Sequence, residues 1–119
     1  MEDAFDPTCI FCKIVAGEIP AEILHAGDSV VAFRDLKPEA PTHILLVPKP
    51  HVRDLTEIGD DHAGMLAELV QAAAHLANAE GIEESGWRLV SNVGPDAGQS
   101  VFHLHFHLLG GRAMAWPPG

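Results

Sequence analysis

Apolar residues in this chain fall into short blocks separated by Gly, Pro and Asp, and the spacing inside each block sorts it into helix or strand. Cys9 to Ala16 carries Ile10 and Ile14 four apart, which gives a short helix one buried side, and Gly17 is placed to end it. Two brief apolar runs follow, Glu22–His25 and Ser29–Phe33. They flank Ala26-Gly27-Asp28, and two runs around a Gly-Asp turn predict a hairpin. Pro38 and Pro41 make Asp35 to Thr42 a loop. Ile44-Leu45-Leu46-Val47 is apolar at every position, the pattern of a buried strand, and Pro48 and Pro50 stop it.

The clearest helix spans Asp60 to Ala79, where Leu66, Leu69, Val70, Ala73, Leu76 and Ala77 recur at three and four. Asp60 and Asp61 suit its start, and Gly81 lies just past its end. Trp87–Ser91 is a further strand, Asn92 to Gly98 a Gly/Pro loop, and Val101–Leu109 the last strand. The tail from Gly110 to Gly119 cannot be regular. About five strands and two helices predict an α+β domain with a mainly antiparallel sheet.

Composition narrows the class. A chain of 119 residues, 47% apolar, fits one domain with a core that needs no staples. Seven Lys+Arg against 17 Asp+Glu give a formal charge of −10, with no basic stripe for a nucleic acid to follow. No run approaches the roughly 18 uninterrupted apolar residues of a membrane span. The acidic start, Met1 to Pro7, lacks the regions of a signal peptide, so a cytoplasmic protein is expected. Cys9 and Cys12 are the only cysteines. In a reducing compartment, C-x-x-C spacing reads as metal ligands or a redox pair.

The last strand has an unusual composition: Val101-Phe102-His103-Leu104-His105-Phe106-His107-Leu108-Leu109. Side chains alternate faces along a strand, so His103, His105 and His107 share one face. Phe102, Leu104, Phe106 and Leu108 share the other, which should pack on a helix and leave the three imidazoles exposed. Same-face neighbours lie about 6.6 Å apart, so one phosphate group can touch two of them. One ring can attack phosphorus while the next, if protonated, donates to an oxygen. An H-x-H pair is also a way to bind zinc, and a surface strand can carry histidines by accident. A zinc deaminase is disfavoured, since no H-x-E with a downstream P-C-x-x-C is present. The preceding loop, Asn92 to Ser100, has glycines whose amides can turn toward an anion, and a Ser100 hydroxyl. It lacks the ending of a P-loop.

His103-Leu104-His105-Phe106-His107-Leu108-Leu109 resembles the H-x-H-x-H-x-x motif of the histidine triad (HIT) superfamily. The resemblance extends through Ile10-Phe11, Glu18-Ile19-Pro20, Phe33-Arg34-Asp35-Leu36, Pro41-Thr42-His43, Gly98-Gln99-Ser100-Val101 and Gly110-Gly111-Arg112. The ending Trp116-Pro117-Pro118-Gly119 is similar to the branch of histidine-triad nucleotide-binding proteins. The resemblance implies a single HIT domain over residues 1–119 and a homodimer whose two sheets join. It implies that the 110–119 tail reaches the partner. It also implies hydrolysis of purine nucleoside phosphoramidates through a nucleotidyl-histidine intermediate.

By position, His105 is then the nucleophile, His107 a phosphate contact, His43 a support for the histidine network, and Ser100 a donor to phosphate or leaving group. His103 orders the triad, its carbonyl available to orient His105. Asp35 binds the ribose hydroxyls, for which its two acceptor oxygens are suited. Ile10, Phe11, Ile14, Phe33 and Leu36 line a slot for the base, although for Ile14 a purely core role is the equal alternative. Asn92, Gly98, Gln99 and Val101 border the phosphate and ribose, and Trp116 reaches the partner's site.

Two departures stand out. Arg34 occupies a place where animal members carry His, so purine preference could differ. Cys9 and Cys12 resemble half of the structural zinc site of many microbial members, with His51 and His103 as the other ligands; two Cys and two His form a closed shell. No cofactor is expected for catalysis. A dinucleoside polyphosphate hydrolase or nucleotidyl transferase of the same superfamily, and a non-catalytic nucleotide-binding scaffold, are the alternative readings.

Overall fold

The computed structural model describes residues 5–119, so Met1 to Ala4 of the acidic start lie outside the described residues. Five strands form one antiparallel sheet: β1 (Ile23–Ala26), β2 (Val30–Arg34), β3 (Thr42–Pro48), β4 (Trp87–Val90) and β5 (Phe106–Gly110). Their order across the sheet is β1-β2-β3-β5-β4. The helices are α1 (Ile10–Val15) and α2 (Ala63–Ala79). The expected α+β architecture with two helices is therefore found.

The central strands explain their own sequence. In β2 and β3 nearly every position is buried, because both faces of the sheet are covered. Val30, Ala32, Ile44, Leu46 and Leu108 pack with Met65, Leu69, Ala72 and Ala73 of α2. The alternate residues Val31, Phe33, Leu45 and Val47 pack with Cys9, Phe11 and Cys12 around α1.

Several expectations are corrected. Residues 101–105 are not strand. β5 begins at Phe106, and Phe102, expected in the core, is 57% exposed. The histidine-bearing segment is not an exposed face either, since His103 and His105 are buried under α1. The buried stripe of α2 is Met65, Leu69, Ala72, Ala73 and Ala77, about one position round from the expected one, so Val70 is half exposed. The helix proper starts at Ala63, because Asp60–His62 forms a tighter 3₁₀ turn; a second such turn, Leu55–Glu57, was not foreseen.

Candidate active site and metal cluster

Backbone groups decide what each histidine offers, because a carbonyl only accepts and an N–H only donates. His105 Nδ1 lies 2.7 Å from the His103 carbonyl, so that nitrogen carries the proton and Nε2 is left with a lone pair. Burial, the largest influence, holds the His105 imidazolium below its ordinary range, which keeps the lone pair available. Phe11 walls the ring edge-on, with centroids 5.0 Å apart.

His107 is set by a relay. The Glu39 amide donates to His43 Nδ1 at 2.9 Å, so His43 carries its proton on Nε2. That Nε2 faces His107 Nδ1 at 2.8 Å, which leaves His107 with its proton on Nε2. Burial pushes His107 down to about 4, and the nearby His105 and His43 add to the effect. His107 is therefore a neutral ring with a fixed donor, and needs no protonation to serve an anion. The rings of His105 and His107 lie 5.1 Å apart. Asp35 closes the relay, with Oδ2 3.4 Å from His43 Nε2 and Oδ1 accepting from the Lys37 amide.

Beside these groups opens a cavity of about 440 Å³. Ile10, Phe11, Ile14, Phe33 and Leu36, the residues expected around the base, line it together with Asp35 and with Val101, which was expected beside the phosphate and ribose. Ile19, Pro20, Ala21 and Leu45 complete the wall and were missed. Alternation along β3 would have found Leu45, which faces opposite to Ile44 and Leu46. Arg34 borders the cavity, but its guanidinium grips Glu80 through two bonds of 2.8 Å and Glu22 through one of 3.0 Å. It clamps β2 to the end of α2 and is not turned to the base.

Other expected residues are placed elsewhere. Ser100 is exposed and lines a separate hollow of about 270 Å³ with Asp6, Thr8, Cys9, His51 and Phe102. Gln99 spends its side chain on the loop: its carbonyl accepts from Gly94 N, and its amide donates to the carbonyls of Arg53 and Val101. Asn92 donates to Ala97 O at 2.6 Å, across the turn that Gly98 closes with φ +85. These contacts build the loop. Trp116 is 82% exposed, on a tail that Arg88 ties to β4 through the Ala115 carbonyl.

The cysteine pair meets two imidazoles. The His103 ring donates from Nε2 to the Pro48 carbonyl at 2.8 Å, so its lone pair sits on Nδ1, 3.3 Å from Cys9 Sγ and 3.5 Å from Cys12 Sγ. His51 Nδ1 lies 3.4 Å from Cys12 Sγ. Tetrahedral zinc with bonds of ~2.3 Å to sulfur and ~2.05 Å to nitrogen requires S···N separations of about 3.6 Å. The three separations of 3.3–3.5 Å come close to that requirement, and all four ligand atoms lie within 4.8 Å of one another. Burial raises the Cys12 thiol to about 11 and lowers His103 to about 4, so a thiolate here calls for a cation and the imidazole is neutral and free to bind one. Asp35, His43 and His107 also bring ligand atoms within 4.8 Å of one another. There the nitrogen that His43 presents carries a proton, so the group is a hydrogen-bonded relay and not a cation site.

A histidine segment laid against a sheet, with one ring nitrogen bared beside an apolar slot, accompanies a family match: residues 16–114 match the HIT domain, and the chain belongs to that family. The 14 kDa zinc-binding protein of Zea mays is 47% identical over 118 residues, 96% of this chain and 90% of that one. The purine nucleoside phosphoramidase of Escherichia coli is 44% identical over 105 residues, 88% of each. The crystal structure of a HIT family hydrolase from Legionella pneumophila matches with a TM-score of 0.91 at 50% identity, covering 94% of this chain and 100% of that one. No helix among the described residues is long and apolar enough to cross a membrane.

Proposed function

We propose that this chain hydrolyses purine nucleoside phosphoramidates at the α-phosphate, with His105 as the nucleophile. The observation that carries the reading is the 2.7 Å bond from His105 Nδ1 to the His103 carbonyl, which presents the Nε2 lone pair in a buried site. The similarity to the E. coli purine nucleoside phosphoramidase points to the same bond type.

Nε2 attacks phosphorus, the P–N bond breaks, and the amine leaves with a proton taken from solvent; water then displaces the imidazole, gives up a proton to solvent and releases the nucleoside monophosphate. His107 donates its fixed Nε2–H to a phosphoryl oxygen, where charge develops. The base enters the apolar slot, and Asp35 takes the ribose hydroxyls.

Zinc is the cation for Cys9, Cys12, His51 and His103, supported by the donor set, the spacing and the zinc-binding relative. As a closed shell it would brace the fold and supply no chemistry to the substrate. We read residues 110–119 as a tail that completes the site of a second copy, since the bare Trp116 is a large indole left in solvent.

Turnover of a fluorogenic purine phosphoramidate by zinc-loaded protein tests the reading, with pyrimidine and diadenosine polyphosphate substrates in parallel. His105→Ala should lose at least about 10³-fold in kcat and still bind AMP. A nucleotidyl adduct trapped on His105 would support the mechanism. Full turnover by His105→Ala, or faster cleavage of the polyphosphates, would overturn it.

A further inference from the structure

We infer that the Cys9–Cys12–His51–His103 cluster positions the nucleophile as well as the fold, with His103 as the residue shared between metal site and active site. The inference rests on His105 being the nucleophile and deepens that reading.

Residues 101–105 lie outside the sheet, and the β3–β5 ladder begins only at Phe106. Two hydrogen bonds tie the segment to residues 48–52: Leu104 N–H donates to the Val52 carbonyl at 2.5 Å, and His103 Nε2–H to the Pro48 carbonyl at 2.8 Å. Ser91 Oγ donates to the His105 carbonyl at 3.3 Å and Gln99 to the Val101 carbonyl at 3.2 Å, Leu104 is buried in the core, and His103 Nδ1 is aimed at the two sulfurs. A cation held there joins three pieces at one point: the 101–105 segment, residues 48–52 through His51, and the start of α1.

The reacting group is one step away. The same His103 that would ligate through its ring holds His105 Nδ1–H through its carbonyl. Without the cation the ring keeps its bond to the Pro48 carbonyl and the His103–Leu104 peptide its bond to the Val52 carbonyl, so the acceptor that orients the nucleophile loses one of its three ties to this side and is held less firmly. The opposite wall depends on the same point. α1 has only six residues and is capped by Cys9 Sγ, which accepts from Cys12 N at 3.2 Å. A helix this short has no stability of its own. Its Phe11 is the ring that walls His105. His103 is therefore a positioning residue, and Cys9, Cys12 and His51 act through it. A chelator has its own route, because Cys9 and His51 line the 270 Å³ hollow, which Ile10 and Val101 separate from the base slot.

The experiment strips the full-length protein with a chelator and refills it with zinc, following metal content, kcat, KM and hydrogen exchange. Stripping should deprotect residues 9–15 and 100–105 while α2 and β3 stay protected. It should lower kcat about 10- to 100-fold, the range for partners behind the reacting group. Zinc should restore both. His51→Gln, which leaves the hydrogen bonds of His103, Leu104 and His105 in place, should show the same kcat loss at limiting zinc and recover in excess zinc. Unchanged kcat with undisturbed exchange at 100–105 would overturn the inference. If stripping unfolds the whole chain, His51→Gln decides: kcat per folded molecule that tracks zinc occupancy supports the coupling, and a constant value overturns it. Absence of turnover in loaded wild type would sink the phosphoramidase reading, and exchange at 100–105 would then decide the coupling alone.

Discussion

Replacing His43 by Ala removes the group that sets the tautomer of His107 without touching His107 itself. The buried ring makes two neutral hydrogen bonds, at 2.9 and 2.8 Å. Each contributes about 0.5–1.5 kcal/mol net, and leaving a half-buried His107 nitrogen without its donor costs about 1–3 kcal/mol. Stability should fall by about 2–6 kcal/mol against the 5–15 kcal/mol of a typical domain, so kcat is read per folded molecule, with the folded fraction measured by denaturant titration. The kinetic effect follows from the proton. Without His43, His107 can carry its hydrogen on either nitrogen, and in one of the two forms a lone pair faces the phosphoryl oxygen. Deleting a fixed donor outright costs about 10²–10³ in kcat; a donor that is present but unheld should cost about 10- to 100-fold, or 1.4–2.7 kcal/mol. KM should move less, because His43 does not line the base slot. The assay is a double-mutant cycle at saturating purine phosphoramidate. If His43 acts only through His107, adding His43→Ala to His107→Ala should lower kcat no further. Wild-type kcat in a folded His43→Ala, or independent multiplication of the two losses, would refute the relay.

Other consequences are local. Glu68 on α2 accepts from Ser29 N, Ser29 Oγ and Val30 N and pairs with His25, tying the β1–β2 turn to the helix. Glu68→Ala should cost about 2–4 kcal/mol by denaturant titration and leave kcat unchanged. Gly111 has φ +89, and an added Cβ would lie 2.8 Å from the Pro41 ring, so Gly111→Ala should cost about 2–4 kcal/mol in the same titration. His107 has an ordinary value of 6.5 and about 4 in the fold. In that window the unfolded chain binds a proton that the folded chain refuses, so stability falls as pH drops from 6.5 toward 4 and is level above it. His107→Asn should flatten that acid slope in titrations near pH 7 and near pH 5; parallel slopes would remove His107 as its source.

Much of the sheet was legible because both of its faces are buried. β2 and β3 read as apolar runs ended by Pro, Gly or Asp, and such runs have few alternatives. The stretch 101–105 was misread because its alternation is real but has a different cause. Ring and carbonyl contacts hold His103 and Leu104, and strand periodicity looks the same whether a ladder or side chains enforce it. Gln99 and Arg34 were misjudged for a related reason. Both side chains spend their polar groups within the chain, on loop carbonyls and on Glu80, and a partner 46 residues away in either case leaves no local signature. The slot residues of α1 were legible by resemblance, whereas the sulfur cap that starts the helix needed coordinates.

The two clusters of ligand-type side chains show why composition alone could not assign them. Cys9, Cys12, His51 and His103 form one group and Asp35, His43 and His107 the other, each with its ligand atoms within 4.8 Å. What separates them is the backbone behind each ring. A carbonyl behind His103 draws the proton away from the cluster and bares a lone pair toward the sulfurs. An amide behind His43 pushes the proton forward, so the next group must be an acceptor. The first arrangement invites a cation, and the second excludes one and transmits a hydrogen-bond donor instead. His105 lies between them, oriented from the metal side through the His103 carbonyl and faced across the site by the ring that the relay fixes. The bared lone pair of His105 is thus set by a peptide oxygen, and the donor of the ring that faces it by a peptide amide. The first of those peptides is held in turn by its Leu104 N–H on the Val52 carbonyl, so changes in residues 48–52, away from phosphorus, should register in kcat.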